Sequence, residues 1–181
     1  MSFMLLGILN AQAAGGAAGS YDLLETQVLT TDETSITFSS LGDYAADYKH
    51  LQIRMAARGN TTANLVTVIN ADTASNYNWQ VIEGDGSTAT SATGVSASYI
   101  FNAVTTAITD GFNAGVVDLL DVYNTNKYLT IKTLSGVTGG PNYAHFASGT
   151  WQSTASVTSI ELKRVSGELT VGSRFSLYGS K

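Results

Sequence analysis

Asp118 and Asp121, within Val116-Val117-Asp118-Leu119-Leu120-Asp121, form a carboxylate pair of the kind that can work as acid and base across a glycosidic bond. A strand alternates its side chains, so a spacing of three places the two on opposite faces. They cannot flank one bond there without a bulge, and capping a turn or pairing with a basic residue is the simpler role. His50 and His145 are the only imidazoles. A nucleophilic triad needs Ser, His and an acid in contact, and no Gly-x-Ser-x-Gly elbow is present. Two isolated histidines also lack the partners at matching spacing that a metal site requires. Both read as ordinary surface or turn residues. No catalytic residue, metal ligand or cofactor is expected, and the chain reads as a non-enzyme.

Two oxygen-rich stretches, Asn70-Ala71-Asp72-Thr73-Ala74-Ser75-Asn76 and Glu83-Gly84-Asp85-Gly86, offer ligands of calcium type. Neither has the spacing of a calcium loop, so their Asn and Asp side chains are expected to brace turns. Tyr77, Trp79 and Trp151 are candidate ligand-facing aromatics, because exposed rings stack on sugars. Tyr77 and Trp79 alternate along a strand and share one face. If that face points inward they belong to the core, which is the simpler reading.

The elements that must carry these residues follow a period of two. In Tyr48–Met55 the residues Leu51, Ile53 and Met55 face one way, and His50, Gln52 and Arg54 the other. Tyr128–Thr133 and Ser159–Lys163 alternate likewise, and Phe175 and Leu177 point inward from the last strand. Asn124-Thr125-Asn126-Lys127 should make a tight hairpin, Gly139-Gly140-Pro141-Asn142 a turn, and Gly84–Ala97 a mobile loop. About eight to eleven strands result, with no helix beyond two turns. Sheets with a single apolar face must pair face to face, so the expected class is all-β. The architecture would be an antiparallel two-sheet sandwich, jelly-roll-like, with an extended amino-terminal arm.

Of the 181 residues 44% are hydrophobic and only 13% charged, with a net charge of −5 and no cysteine. Disorder is excluded by the apolar content. Disulfides, thiolate metal sites and a Cys nucleophile are excluded outright. No Lys or Arg occurs before Lys49, and the nine basic residues are scattered. Nucleic-acid binding needs clustered cations, so it is not expected. No apolar run approaches the ~20 residues of a membrane-spanning helix.

The composition shifts once, at about residue 20. Residues 1–20 hold an apolar run and a Gly/Ala linker, and residues 21–181 form the β domain. The run Phe3–Leu9 followed by Ala11-Gln12-Ala13 has the outline of a secretory leader, but it has no positive n-region. The better reading is an arm. Phe3, Leu5, Leu6, Ile8 and Leu9 would each gain ~1.5–3 kcal/mol on burial. Ala13–Ser20 has no side chain large enough to anchor it and serves as a flexible spacer. These five residues are therefore the expected partner-docking set. The run either seats on a neighbour or folds back onto the domain's own sheet.

The segments "YDLLETQVLTTDETSITFSSL", "YKHLQIRMAAR", "NTNKYLTIKTLSG", "SGTWQSTASVTSIEL" and "GSRFSLYGSK" resemble small virion structural proteins of tailed bacteriophages, those of cyanophages and marine phages among them. "LLGILNAQAAGG" is similar to the amino-terminal segment of some of these proteins. The likeness is collinear over nearly the whole chain and is least over Gly84–Ala97 and Phe101–Gly111. It implies a virion component, assembled in the bacterial cytoplasm, that docks through its arm on major capsid or tail proteins. The placement it favours is a capsid decoration or cement protein, as a homo-oligomer of trimeric type. The alternative placement is a tail fibre, spike or baseplate component touching the host surface. The family has no established catalytic residues to carry over. A carbohydrate-binding β-sandwich module is the reading from a different class.

Overall fold

A computed structural model describes residues 20–109, 111–137 and 142–181. The docking set Phe3, Leu5, Leu6, Ile8 and Leu9 lies outside these residues, as do the linker before Ser20 and the Gly139–Pro141 part of the expected turn. The described chain is all-β. Its strands are β1 (Asp22–Val28), β2 (Ser35–Phe38), β3 (His50–Ala57), β4 (Ala63–Ile69), β5 (Tyr77–Gly84) and β6 (Ala89–Ala97). There follow β7 (Ile100–Thr105), β8 (Asn113–Leu120), β9 (Leu129–Val137), β10 (Tyr143–Trp151), β11 (Ile160–Arg164) and β12 (Arg174–Ser180). A single 3-10 turn spans Leu41–Tyr44.

The strands form two antiparallel sheets. The larger has eight strands in the order β1-β12-β3-β8-β9-β10-β5-β6, and the smaller has four, β2-β11-β4-β7. The alternation read from the sequence is what pairs them. Leu51, Ile53, Phe175, Leu177, Leu119 and Ile131 project from the large sheet. Phe38, Leu65, Ile69, Ile100, Ile160 and Leu162 meet them from the small one, and all are essentially solvent-free. One apolar layer between two sheets is the sandwich expected.

Three local expectations need correction. Twelve strands are described, against the eight to eleven expected. The extra one is β6, which occupies the stretch read as a loop. Its Ser, Thr, Ala and Gly residues carry no apolar signal because β6 is an edge strand, paired with β5 alone and exposed along most of its length. Backbone hydrogen bonds hold it, supplemented by Thr93 Oγ1 donating to the Trp79 carbonyl at 2.9 Å. The tight hairpin expected at Asn124–Lys127 is instead part of a longer connection between β8 and β9. That connection is pinned by Asp121, whose φ is 54°.

The free edge of the small sheet is closed by the large sheet's side chains. The β4–β7 register slips between Leu65 and Val66, leaving Asn102 as a bulge. Ser135 Oγ of β9 donates to the Asn102 carbonyl at 3.1 Å, and Asn113 Nδ2 of β8 donates to the Val104 carbonyl at 2.9 Å. Asn102 Nδ2 donates to Thr67 Oγ1 at 2.6 Å. An edge strand normally leaves a row of unpaired backbone groups. Here the Asn102 and Val104 carbonyls are satisfied inside the fold, and all six residues of β7 are buried.

Candidate functional site

The aromatic residues and the oxygen-rich loop, separate in the sequence, form one structural unit. Asp72 Oδ2 accepts from Trp151 Nε1 at 2.8 Å and from Asn76 Nδ2 at 2.9 Å, while Oδ1 accepts from the Ala74 N–H at 3.0 Å. These donors hold its carboxyl below the usual carboxylate range. The Tyr77 hydroxyl donates to the Asp72 carbonyl at 2.9 Å and accepts from the Ile69 N–H at 3.0 Å. Burial pushes that hydroxyl's pKa up to about 12. Asn70 Oδ1 receives Thr158 N–H and Ser159 N–H across the loop. The loop is therefore braced by Asx side chains, as expected. Tyr77 (0% exposed) and Trp151 (3%) are correspondingly not ligand-facing. They are core residues whose polar atoms are consumed in holding the loop.

Trp79 is placed differently. It is only partly buried and packs on Phe101, with ring centroids 5.8 Å apart. Gly94 of β6 lies against its other side, where a Cβ would come within 2.4 Å of the indole. Its neighbours form an aromatic corner where β5 and β6 meet the end of β7. A cavity of about 340 Å³ opens there, walled by Trp79, Phe101, Tyr143, Val104, Asn64 and Glu83 among others. His145 stands behind this wall, between Phe101 (5.3 Å) and Tyr143 (5.4 Å).

The expectation of a surface or turn role for His145 is corrected by this placement. The residue is 1% exposed, because position 145 shares the inward face of β10 with Ala147 and Trp151. Its Nε2 lies 3.3 Å from Glu83 Oε2, but the groups are not aligned for a hydrogen bond. Neither ring nitrogen has a directed partner among the described residues, and neither does Trp79 Nε1. Burial holds the His145 pKa below 6.5, partly opposed by the Glu83 carboxylate. The hollow is thus lined by aromatic and aliphatic side chains with Glu83, Asn64 and Thr62 as its polar groups, while the His145 ring and the Trp79 N–H are buried away from solvent. Such a lining offers a small ligand an aromatic wall and a few polar groups. No directed contact joins His145 to a hydroxyl that it could activate. In the sequence, only the inward parity of position 145 could have flagged it.

The remaining candidates do not converge. Asp118 Oδ1 accepts from Gln52 Nε2 at 2.7 Å, and its Oδ2 is 3.2 Å from Lys132 Nζ. Asp121 pairs with Lys127, whose hydrogen bond lowers the carboxyl pKa. The Asp121 N–H donates to His50 Nδ1 at 2.9 Å, which makes that nitrogen an acceptor. Each aspartate therefore has its own cation, in keeping with the pairing role. Asp85 Oδ1 collects the Ser87 and Thr88 N–H groups and closes the β5–β6 hairpin. Among the described residues no three His, Asp or Glu side chains gather as metal ligands, and no helix is long and apolar enough to cross a membrane.

Arg164 is a buried residue that sequence reasoning passed over. Its guanidinium donates to Thr105 Oγ1 (2.8 Å), the Thr61 carbonyl (2.7 Å) and the Ser166 carbonyl (3.0 Å). It fills the space beside Gly59, where any Cβ would collide with it. All these acceptors are neutral, so its role is to tie β11, β7 and the 59–61 turn together. No protein-family model matches the chain, and neither a curated protein nor a solved structure is significantly similar to it.

Proposed function

We propose that the chain is a virion structural protein of a tailed bacteriophage that mounts on the particle through its amino-terminal arm, as a capsid decoration or cement protein. The observation that supports this reading is the uncharged apolar run Phe3–Leu9 on a Gly/Ala tether, placed ahead of a β-sandwich. The large exposed flank of the sandwich and its polar loops suit a building element. A seat burying ~800 Å² per partner is stable, and many copies on a lattice reinforce one another. The partner is a major capsid or tail protein, and the domain is a homotrimer. The shell is the preferred placement and the tail the alternative.

Deleting residues 2–12 should leave a folded domain that no longer joins particles. Undiminished incorporation would refute the proposal. A quantitative gel of purified virions separates the two placements, with many copies expected for a shell protein and few for a fibre, spike or baseplate component.

The cavity beside Trp79 supports a second reading, a carbohydrate-binding module. That reading requires saturable sugar binding by the isolated domain, lost in Trp79→Ala and retained in Trp151→Phe. Titration calorimetry showing no heat with a sugar panel removes it.

A further inference from the structure

The outer face of the eight-stranded sheet carries a continuous apolar band. Ile82 of β5 pairs with Phe146 of β10, Phe146 with Leu134 of β9, and Leu134 with Val116 of β8. Ile82, Phe146 and Leu134 are 57%, 49% and 62% exposed, so four neighbouring strands present a ridge of large apolar side chains to solvent. The next row is Gly84, Ala144, Gly136, Ala114 and Ala56, again in register. Ridge and row make a shelf: small residues form its floor and the ridge its wall. No charged residue lies on either row between β5 and β8. On the far side of the ridge the surface turns polar, at Ser148, Lys132 and Asp118.

The described chain begins on the same face, at the β1 edge and on the polar side of the ridge. Arg54 of β3 continues the ridge row, opposite Val116. Its guanidinium lies over the rings of Tyr178 (4.3 Å) and Tyr21 (5.4 Å). Tyr21, next to Asp22 of β1, therefore turns its ring onto this same outer face, three strand spacings from β8 at the end of the ridge. Strands are about 4.8 Å apart, so Ile82 on β5, six strands from β1, is about 29 Å away across the sheet. Residues 10–20 between the apolar run and Tyr21 can span about 36 Å when extended. The seven residues Phe3–Leu9, extended, cover about 23 Å. The ridge from β8 to β5 crosses three strand spacings, about 14 Å.

We infer that in the free protein the run Phe3–Leu9 of the same chain lies on this shelf, covering Val116, Leu134, Phe146 and Ile82. Reach, absence of charge and apolar surface agree on both sides. A short tether also gives its own arm an effective concentration in the millimolar range, far above that of a second copy in dilute solution. The arm is thereby shielded before it finds another seat. This seat concerns the free protein and is independent of the virion reading, which particle incorporation tests separately.

The chain has no cysteine, so a disulfide can report the contact. The full chain carrying Leu6→Cys and Leu134→Cys is oxidised at micromolar concentration. Its control carries Leu6→Cys and Thr37→Cys, the latter exposed on the small sheet. Circular dichroism verifies that both fold. The expected result is a monomeric cross-link to position 134, independent of dilution, with little to position 37. Equal yields at the two positions overturn the inference. So do cross-linked dimers that grow with concentration, which would assign the shelf to a second copy. As a second readout, Leu134→Glu should speed elastase cleavage within residues 13–19 by at least about fivefold, because proteolysis follows the open population. An unchanged cleavage rate also overturns it.

Discussion

His145 is a fully inward imidazole with no directed hydrogen bond among the described residues, and its burial couples its protonation to folding. Its folded-state pKa lies below the ordinary 6.5 because burial penalises the charged ring more than Glu83 relieves it. The unfolded chain therefore binds the proton more readily than the folded one. Stability is full above about pH 6.5 and falls as pH drops below it, until the folded-state pKa is reached. The slope is bounded by one proton, about 1.4 kcal/mol per pH unit. Urea midpoints measured between pH 8 and 5 should decline in wild type. In His145→Phe, which keeps the ring stack with Tyr143 and Phe101, that step should vanish. A parallel decline in both proteins would show that other groups dominate.

At the scale of elements, the seam between β7 and the large sheet is where polar chemistry holds the two layers together. Ser135 Oγ and Asn113 Nδ2 occupy carbonyls that an edge strand would otherwise leave bare in the interior. Ser135→Ala removes one donor and strands the Asn102 carbonyl, a loss of about 1–3 kcal/mol. Denaturant titration should show this as a lower midpoint with an unchanged slope. A neutral outcome would mean that the bulge relaxes to find another partner. By contrast β6 is exposed along its length and bonded on one side only. Its amides should exchange with deuterium well before those of β3, β8 and β9. Equal protection would contradict the edge placement.

For the whole molecule, one apolar layer is shared by both sheets, and no second core separates them. The smaller cluster around Val81, Phe101, Val104 and Ala147 adjoins the main one through Trp79, which packs on both. The domain should therefore unfold in a single transition, with far-UV dichroism and tryptophan fluorescence superimposable. Non-coincident curves would mean that the Trp79 corner melts apart from the Trp151 layer. The outer shelf plays no part in this core. Its apolar residues are only about half buried by folding, so a partner seated there would add stability by association.

Periodicity by itself determined much of this protein. Leu51, Ile53, Phe175, Leu177, Ile160 and Leu162 announce their burial through alternation, because a pleated strand with one wet face has no other way to arrange them. The two-sheet class follows from the same residues, and the bracing roles of Asp72 and Asp85 follow from turn chemistry. The sequence could not reveal β6, whose residues bury little and are held by backbone bonds that any side chain permits. Nor could it reveal that Tyr77 and Trp151 converge on Asp72 or that His145 lies beneath Tyr143. It was equally silent that Ile82, Phe146, Leu134 and Val116 stand side by side. Those contacts join residues far apart in the chain, and only strand order and register bring them together. A one-residue slip would send each of these side chains to the opposite face.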